Sequence, residues 1–339
     1  MEPKYYVKIA EGLGNQMFEY AWARTMQKLY GGTIVIDPHA FGRKHYRSLS
    51  MQHFVLNDNV IFNDTAKEKV LTYLMGAYKK LIDFIYKGNT IEIYRNKAQF
   101  GIYEQISNSF YDSWLPPRMP MNYFEGNWMA EYWFKPACEE LKRELKVKDD
   151  IKEKNKPILE KIKNCNSVCI HIRLGDFLRE PYNTMSRVCG NEYYNEAIRI
   201  VKEKVENPVF FLFSNRPKDF EYIKSNFKFA ADIIYVNMGN TDYEDLRLMY
   251  NCKHQIMSNS TYSWWAQYLN ENPHKVVVAP AMLNKHNKWD LKCLFCDYWT
   301  LVAPEYLNLD GITATAETNS LSPKIEWSRV EAIIKGHKL

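Results

Sequence analysis

Apolar and polar positions are grouped along this chain in a way that separates strands from helices. Residues Tyr5 to Ala10 are mostly apolar and β-branched or aromatic, and the run breaks at Glu11-Gly12-Leu13-Gly14-Asn15-Gln16. Apolar positions then recur with helical spacing at Phe18, Ala21, Trp22, Thr25, Met26 and Leu29. Gly31-Gly32 stops that helix, and Thr33 to Asp37 reads as a second buried strand. Strand, glycine turn, helix and strand together fill about thirty residues, the size of a parallel crossover.

Residues 60–150 are harder to order. A helical pattern runs from Ala66 to Tyr86, an extended aromatic tract from Ile91 to Trp114, and Pro116-Pro117 and Pro120 act as breakers. Ala137 to Lys163 is charged and helical, with Leu141, Leu145, Leu159 and Ile162 inward, and reads as the connection between two halves. In the second half, Val168 to Ile172, Val209 to Phe213, Ile233 to Val236, Gln255 to Met257 and Val276 to Ala279 are short apolar runs separated by helical or turn segments. That alternation predicts a parallel sheet covered on both faces, with chemistry beyond the carboxyl ends of its strands. The expected domains are 1–150, 151–305 and a tail, 306–339, in which residues 308–322 form a loop before a short terminal helix.

Composition narrows the function. At 339 residues, 46% hydrophobic and 25% charged, the chain is a folded protein long enough for two cores. The net charge of +5 arises from 45 basic and 40 acidic residues, an excess too small and dispersed for a dedicated nucleic-acid surface. No run approaches the roughly 18 apolar residues of a spanning helix, and Lys8 and Glu11 interrupt the start, so no signal peptide is expected and the predicted compartment is the cytoplasm. Seven scattered cysteines suggest reduced thiols, and the single Cys-x-x-Cys, Cys293 to Cys296, is a weak metal motif.

Three strand ends carry candidate chemistry. In His171-Ile172-Arg173-Leu174-Gly175-Asp176, strand alternation places His171 and Arg173 on one face before a glycine turn. A guanidinium fixed there offers a planar donor fork to phosphate and stays charged at any relevant pH, although an ordinary Arg–Asp pair would have the same letters. In Met257 to Trp265 a strand ends in Ser258, Asn259, Ser260, Thr261 and Ser263 just before a helix. One such residue caps a helix, whereas five polar side chains in six positions suggest a phosphate site at the amino end. Phe213-Ser214-Asn215 follows a third strand and is either a turn or part of the same rim.

The first glycine turn resembles the opening of a dinucleotide fingerprint, with Asp37 where a ribose-binding acid would stand, but Met17 occupies the third glycine position and argues against it. Asn15 and Gln16 offer amide groups suited to sugar hydroxyls or a diphosphate.

Taken together, GLGNQMFEYAWAR, GNWMAEYWF at Gly126 to Phe134, HIRLGD, CGNEYYNEAI at Cys189 to Ile198, FSN, and DLRLMYNCKHQIMSNSTYSWWAQYLN followed by KVVVAP resemble the bacterial α-1,2-fucosyltransferases of glycosyltransferase family 11. The resemblance spans roughly residues 5–285 in order, and the last long segment is its most specific part, since HxRxGD recurs in other fucosyltransferase families. It implies a GT-B fold of two Rossmann-like domains facing a central cleft, and inverting transfer from GDP-β-L-fucose to the 2-hydroxyl of a galactose-type acceptor, without metal or other cofactor. The chain contains no Asp-x-Asp, which agrees with metal independence. The resemblance assigns catalytic roles to Arg173, Asp176 and His171. It implies that Ser258, Asn259, Ser260, Thr261 and Ser263 hold phosphate and nucleoside, while Gly14, Asn15, Gln16, Ser214, Asn215 and Arg216 are further substrate-binding candidates by their own chemistry and place.

Two departures stand out: Leu174 replaces a second arginine, and Ser214-Asn215-Arg216 replaces FSDD, so Arg216 is the candidate substitute cation. Glu11, Asp37 and Asp176 are candidate bases, Glu11 first. The expected partners are GDP-fucose and a galactose-containing glycan, a surface polysaccharide or oligosaccharide precursor. A lipid-linked acceptor would bring peripheral membrane contact at the inner face. Transfer to another position, transfer of another nucleotide sugar, and non-catalytic binding are the competing readings.

Overall fold

The computed structural model describes residues 2–39, 48–88, 90–105, 116–117, 119–175, 188–281, 294–303, 305–306 and 314–315. Residues 106–115 of the aromatic tract, Asp176, Cys293 and the terminal helix expected after residue 322 lie outside the described residues. The chain divides into two compact units between Lys146 and Val147.

The first unit runs β1 (Lys4–Lys8), α1 (Leu13–Tyr30), β2 (Thr33–Asp37), β3 (Val60–Phe62), α2 (Ala66–Ile85), α3 (Ile91–Gln99), β4 (Ile102–Glu104) and β5 (Met121–Glu125), then the short helices α4 (Glu131–Phe134) and α5 (Cys138–Glu144). Its sheet order is β3-β2-β1-β5-β4 with every pairing parallel. Lys8 lies opposite Asp37 in the β1–β2 register, so the polar ends of both strands emerge together.

Strand alternation sends Tyr5 and Tyr6 to opposite faces of this sheet. On the Tyr5 side, that ring stacks on Phe124 at 5.2 Å, and Trp22 of α1 packs against Phe124 at 6.0 Å and Trp128 at 5.5 Å. On the Tyr6 side, Met75 and Ile82 of α2 join Val35, Ile102 and Tyr123. Gly31 ends α1 at φ +72°, and Gly32, at φ +100°, lets the chain pass Pro3, whose carbonyl oxygen would stand 2.2 Å from a Cβ there.

One expectation is corrected: the stretch Ile91–Gln99, read as extended, is helix α3. The Thr90 hydroxyl caps it by accepting from the Ile93 N–H, and Tyr94, Lys97 and Ala98 turn inward at helical spacing. Aromatic content outweighed that periodicity in the sequence reading.

The second unit runs α6 (Lys156–Lys163), β6 (Asn166–Ile172), α7 (Asn191–Lys204), β7 (Pro208–Ser214), α8 (Pro217–Asn226), β8 (Ile233–Tyr235), α9 (Asp242–Asn251), β9 (His254–Ile256), α10 (Thr261–Tyr268), β10 (Val277–Pro280) and β11 (Thr300–Val302). The sheet order is β8-β7-β6-β9-β10-β11, all parallel, which counted from β6 is the 3-2-1-4-5-6 order of a Rossmann fold. All five apolar runs of the second half become strands of this sheet, and β11 is an addition. Trp264 and Trp265 are both buried and pack edge to face at 5.1 Å, as core residues. Each unit is thus an α/β sandwich around a parallel sheet. Among the described residues no helix is long and apolar enough to cross a membrane.

A buried ion pair fastens α1 to the end of the first unit. Arg24 Nε donates to both carboxylate oxygens of Glu144, at 2.9 and 3.0 Å, and the Tyr20 hydroxyl adds a bond of 2.7 Å. Removing one partner strands the other charge away from water. Glu144→Ala is therefore expected to lower the unfolding free energy by about 3–5 kcal/mol, measured by urea titration, whereas the apolar pair Arg24→Met with Glu144→Leu recovers most of that loss.

Candidate active site

In a doubly wound sheet the crevice opens where strand order reverses, which in the second unit is between β6 and β9. The two richest sequence motifs end those two strands. His171 is the penultimate residue of β6 and is fully buried; its Nδ1 lies 2.8 Å from Ser258 Oγ, just past β9. The hydrogen bond joins the strand ends across the switch point. Behind it, the Tyr194 hydroxyl donates to the His171 carbonyl at 3.1 Å and the Tyr193 hydroxyl to the Met257 carbonyl at 2.6 Å. Both tyrosines belong to the first turn of α7, in the CGNEYYNEAI segment, and hold the backbone of the two strands from the core side.

Burial, and after it the neighbouring Arg173 charge, hold the His171 imidazole down at about 3. It is neutral at working pH, and its Nε2 is buried without a hydrogen-bond partner. His171 is therefore better suited to positioning Ser258 than to exchanging protons with a substrate. Arg173 leaves the strand two residues later, 9% exposed, and Leu174 turns back into the core at 0%. Gly175 has φ +68°, a conformation that favours glycine, and the Arg216 guanidinium lies 3.9 Å from the position its Cβ would take. Arg216 comes from the adjoining strand end, at the N-cap of α8, and is held by Asp219 through Nη2–Oδ1 and Nε–Oδ1 contacts of 2.7 and 3.1 Å. The HIRLG turn thus has two arginines beside it, one from β6 and one from β7. Asp176, the last residue of that motif, lies outside the described residues.

The hydroxyl cluster divides into braces and rim. Ser258 and Ser263 are buried; the Ser263 hydroxyl donates to the Ser258 and Ser260 carbonyls at 3.1 and 3.0 Å. Ser260 caps α10, its Oγ accepting from the Tyr262 N–H at 3.3 Å. Asn259 accepts a long contact from Cys189 Sγ, and Thr261 stands half-buried in the first turn. The amino end of α10, with its positive dipole end and the Ser260 and Thr261 side chains, is what remains for an anion. Ser214 is likewise internal, donating to the Ile172 carbonyl at 2.9 Å, while Asn215 is exposed. Ser258, Ser263 and Ser214 therefore build the site from behind, a role that counting hydroxyls in the sequence did not separate from ligand contact.

A second polar cluster occupies the carboxyl ends of β1, β2 and β5 in the first unit. Glu11 sits at φ +60°, unusual for a residue with a side chain, and its carboxylate accepts from Asn15 Nδ2. Gly14 is buried in the first turn of α1. Gln16 is fully buried, and its amide is committed to backbone: Nε2 donates to the Glu11 and Ser48 carbonyls at 3.1 and 2.9 Å, and Oε1 accepts from the Ser50 N–H at 2.9 Å. It braces the turn from within.

Three groups here escaped the sequence reading. Glu19 lies buried on α1, accepting from the Ala10 N–H at 2.9 Å, with its carboxyl pushed well up by burial. His39 Nδ1 lies 2.6 Å from Asp37 Oδ1, while the Tyr123 hydroxyl donates to Asp37 Oδ2 at 3.0 Å. Lys8 pairs with Glu125 at 2.5 Å. Only spacing in the folded sheet brings these residues together; Glu19 stands within the GLGNQMFEYAWAR segment, but nothing in that string marks it as a partner of the Ala10 N–H.

Comparison with known proteins identifies the family and the fold. The model for "Glycosyl transferase family 11" matches residues 4–302. An α-1,2-colitosyltransferase of Escherichia coli is 28% identical over 286 residues, covering 81% of this chain and 90% of its own. Human galactoside α-(1,2)-fucosyltransferase 1 is 26% identical over 164 residues, covering 45% of this chain and 43% of its own. Among solved structures, the NodZ α-1,6-fucosyltransferase soaked with GDP-fucose superposes with a TM-score of 0.50 at 15% identity, covering 79% of this chain and 93% of that one. The likeness supports the GT-B assignment of the fold.

The buried imidazole has a thermodynamic signature. Between its ordinary value of 6.5 and about 3 the unfolded chain binds a proton that the folded chain refuses. Stability from this group is complete above that window and falls as pH drops through it, by up to about 1.4 kcal/mol per pH unit. In His171→Asn that part of the acid slope is expected to vanish, as read from urea unfolding at pH of about 5 and about 7.

Proposed function

The chain belongs to glycosyltransferase family 11, and from that premise we propose that it transfers L-fucose from GDP-β-L-fucose, with inversion and without a metal, to the 2-hydroxyl of a terminal galactose-type residue of a glycan precursor. The observation that carries this reading is the meeting of the HIRLG turn and the amino end of α10 at the switch point of the second sheet, tied by the 2.8 Å Ser258–His171 bond.

As the fucosyl bond breaks, negative charge gathers on the departing diphosphate, and stabilising that charge is the greatest help the protein can give the reaction. Arg173 supplies a fixed positive charge, Arg216 a second, and the helix end oriented N–H groups; these take the place that a bound cation holds in other nucleotide-sugar transferases. Ser260, Thr261, Asn259 and the exposed Asn215 are proposed as polar contacts to the nucleotide. Inversion also calls for a base on the acceptor hydroxyl. Glu11, with its strained backbone and exposed carboxylate beside Asn15, is the proposed base. The Asp37–His39 pair is the alternative, favoured by the 2.6 Å contact that would hold an imidazole ready to take a proton. The name of the colitosyltransferase relative makes the donor sugar the point to test first.

GDP release across a panel of GDP-sugars and acceptors, with linkage assigned by NMR, tests the reading directly; release from GDP-fucose with a new α-1,2 linkage supports it, and turnover with another donor alone overturns it. Arg173→Ala is expected to lower the rate by roughly two to three orders of magnitude with the fold intact by circular dichroism. Arg216→Ala should raise the donor KM, and EDTA should leave turnover unchanged; loss of activity in EDTA would replace the arginine account. Glu11→Gln should lower kcat by about 10² or more with little change in donor KM, and if it does not while His39→Gln does, the base is His39.

A further inference from the structure

Ten large apolar side chains are exposed among the described residues, and six of them, Val70, Tyr73, Leu74, Leu81, Phe84 and Ile85, lie on α2 at 54–71% exposure. At 3.6 residues per turn they fall, with Ala77 between them, within an arc of about 120° that extends about 22 Å along the helix. The opposite side of α2 is the one that packs on the sheet through Met75 and Ile82. A helix covering one face of a parallel sheet is normally polar outward; this one is apolar on both sides.

The charge around the stripe has one sign. Helical geometry places Lys69 and Lys80 along one edge, with Lys87 just past the helix end, and Lys67 at the other. All four are exposed and form no ion pair among the described residues. The acidic residues of α2 are already occupied: Glu68 by Lys4 at 3.1 Å, and Asp83 by Lys79 and Lys97 at 2.6 and 2.8 Å. A second copy of the chain would set these lysines against their own counterparts, whereas an anionic headgroup layer complements them. We propose that the outer face of α2 docks on a lipid surface bearing anionic headgroups, with the apolar stripe at the acyl boundary and the lysines among the phosphates. The proposal deepens the reading of the acceptor as a membrane-borne glycan precursor and rests on it for its purpose, while the contact itself is measured without any substrate.

The experiment is flotation of the full chain with phosphatidylcholine vesicles containing about 30% phosphatidylglycerol, against phosphatidylcholine alone. The expected result is binding to the anionic vesicles only, reduced at least about tenfold in Leu81→Glu with Phe84→Glu, and roughly fivefold for each lysine changed to Gln among Lys69, Lys80 and Lys87. These side chains are exposed and lie outside the proposed machinery, so transfer to a soluble acceptor stays unchanged and reports that the variants are folded. Absence of vesicle binding by the native chain, or undiminished binding by the glutamate variant, overturns the proposal. So does a lipid-free oligomer in sedimentation that Leu81→Glu with Phe84→Glu dissolves, because a second copy would then be the occupant.

Discussion

The hydrogen bond between Ser258 and His171 is the constraint on which the candidate site depends. It spans the one place in the second sheet where adjacent strands lead to helices on opposite faces, and it does so between two side chains that are almost fully buried. A polar pair in such a place is costly unless its members satisfy each other, so the contact specifies a single arrangement of the β6 and β9 ends. Tyr193 and Tyr194 extend the constraint into the core by bonding the carbonyls behind it. Arg173 and the start of α10 then emerge from a rigid base, which matters because charge stabilisation by prearranged groups avoids reorganisation during the reaction.

The first unit obeys the same rule with different parts. Its strand order reverses between β1 and β5, where Lys8 and Glu125 pair and Glu19 receives the Ala10 N–H. The GLGNQ turn looks like a phosphate loop on paper. In the fold its glutamine faces inward, clamping residues 48–50 to the turn, and only Glu11 and Asn15 remain toward solvent. Met17 is completely buried, consistent with a helix that does not make the close strand contact a dinucleotide fingerprint requires.

What could be read from the sequence follows from which signals are local. Strands β6, β7 and β2 were legible because a buried parallel strand is a continuous apolar run bounded by turns, and α1 because its apolar period is 3.6. Ile91–Gln99 was misread because three aromatic or β-branched residues in nine favour a strand, while the Thr90 cap that starts the helix is a single side chain outside that window. In the candidate site, residue type was legible and direction was not. Ser258, Ser263, Ser214 and Gln16 have the chemistry of ligand contacts, yet each is turned toward backbone or core by neighbours distant in sequence. His39 was missed for the opposite reason: its partner Asp37 is only two residues away, but a His two residues from an Asp carries no information until the end of β2 fixes their rotamers.

In the proposed mechanism Arg216 takes the part of the second arginine that the family resemblance leads one to expect at position 174. Leu174 is entirely within the core of the second unit, alongside Ile172 and Leu212, so a guanidinium there would need a different course of the backbone after β6. In the parallel register of β6 and β7, Ile172 lies beside Ser214. Two residues further along each chain come Leu174 and Arg216, and the Arg216 guanidinium lies 3.9 Å from where a Cβ on Gly175 would stand. Asp219, almost fully buried, pairs with that guanidinium from the first turn of α8 and fixes its direction, while the Arg216 side chain stays 34% exposed. A second guanidinium, paired with Asp219, therefore stands beside the turn that carries Arg173, delivered by the neighbouring strand. In the proposed mechanism the electrostatic requirement is met by position in space, where a motif that counts consecutive arginines would record it as absent.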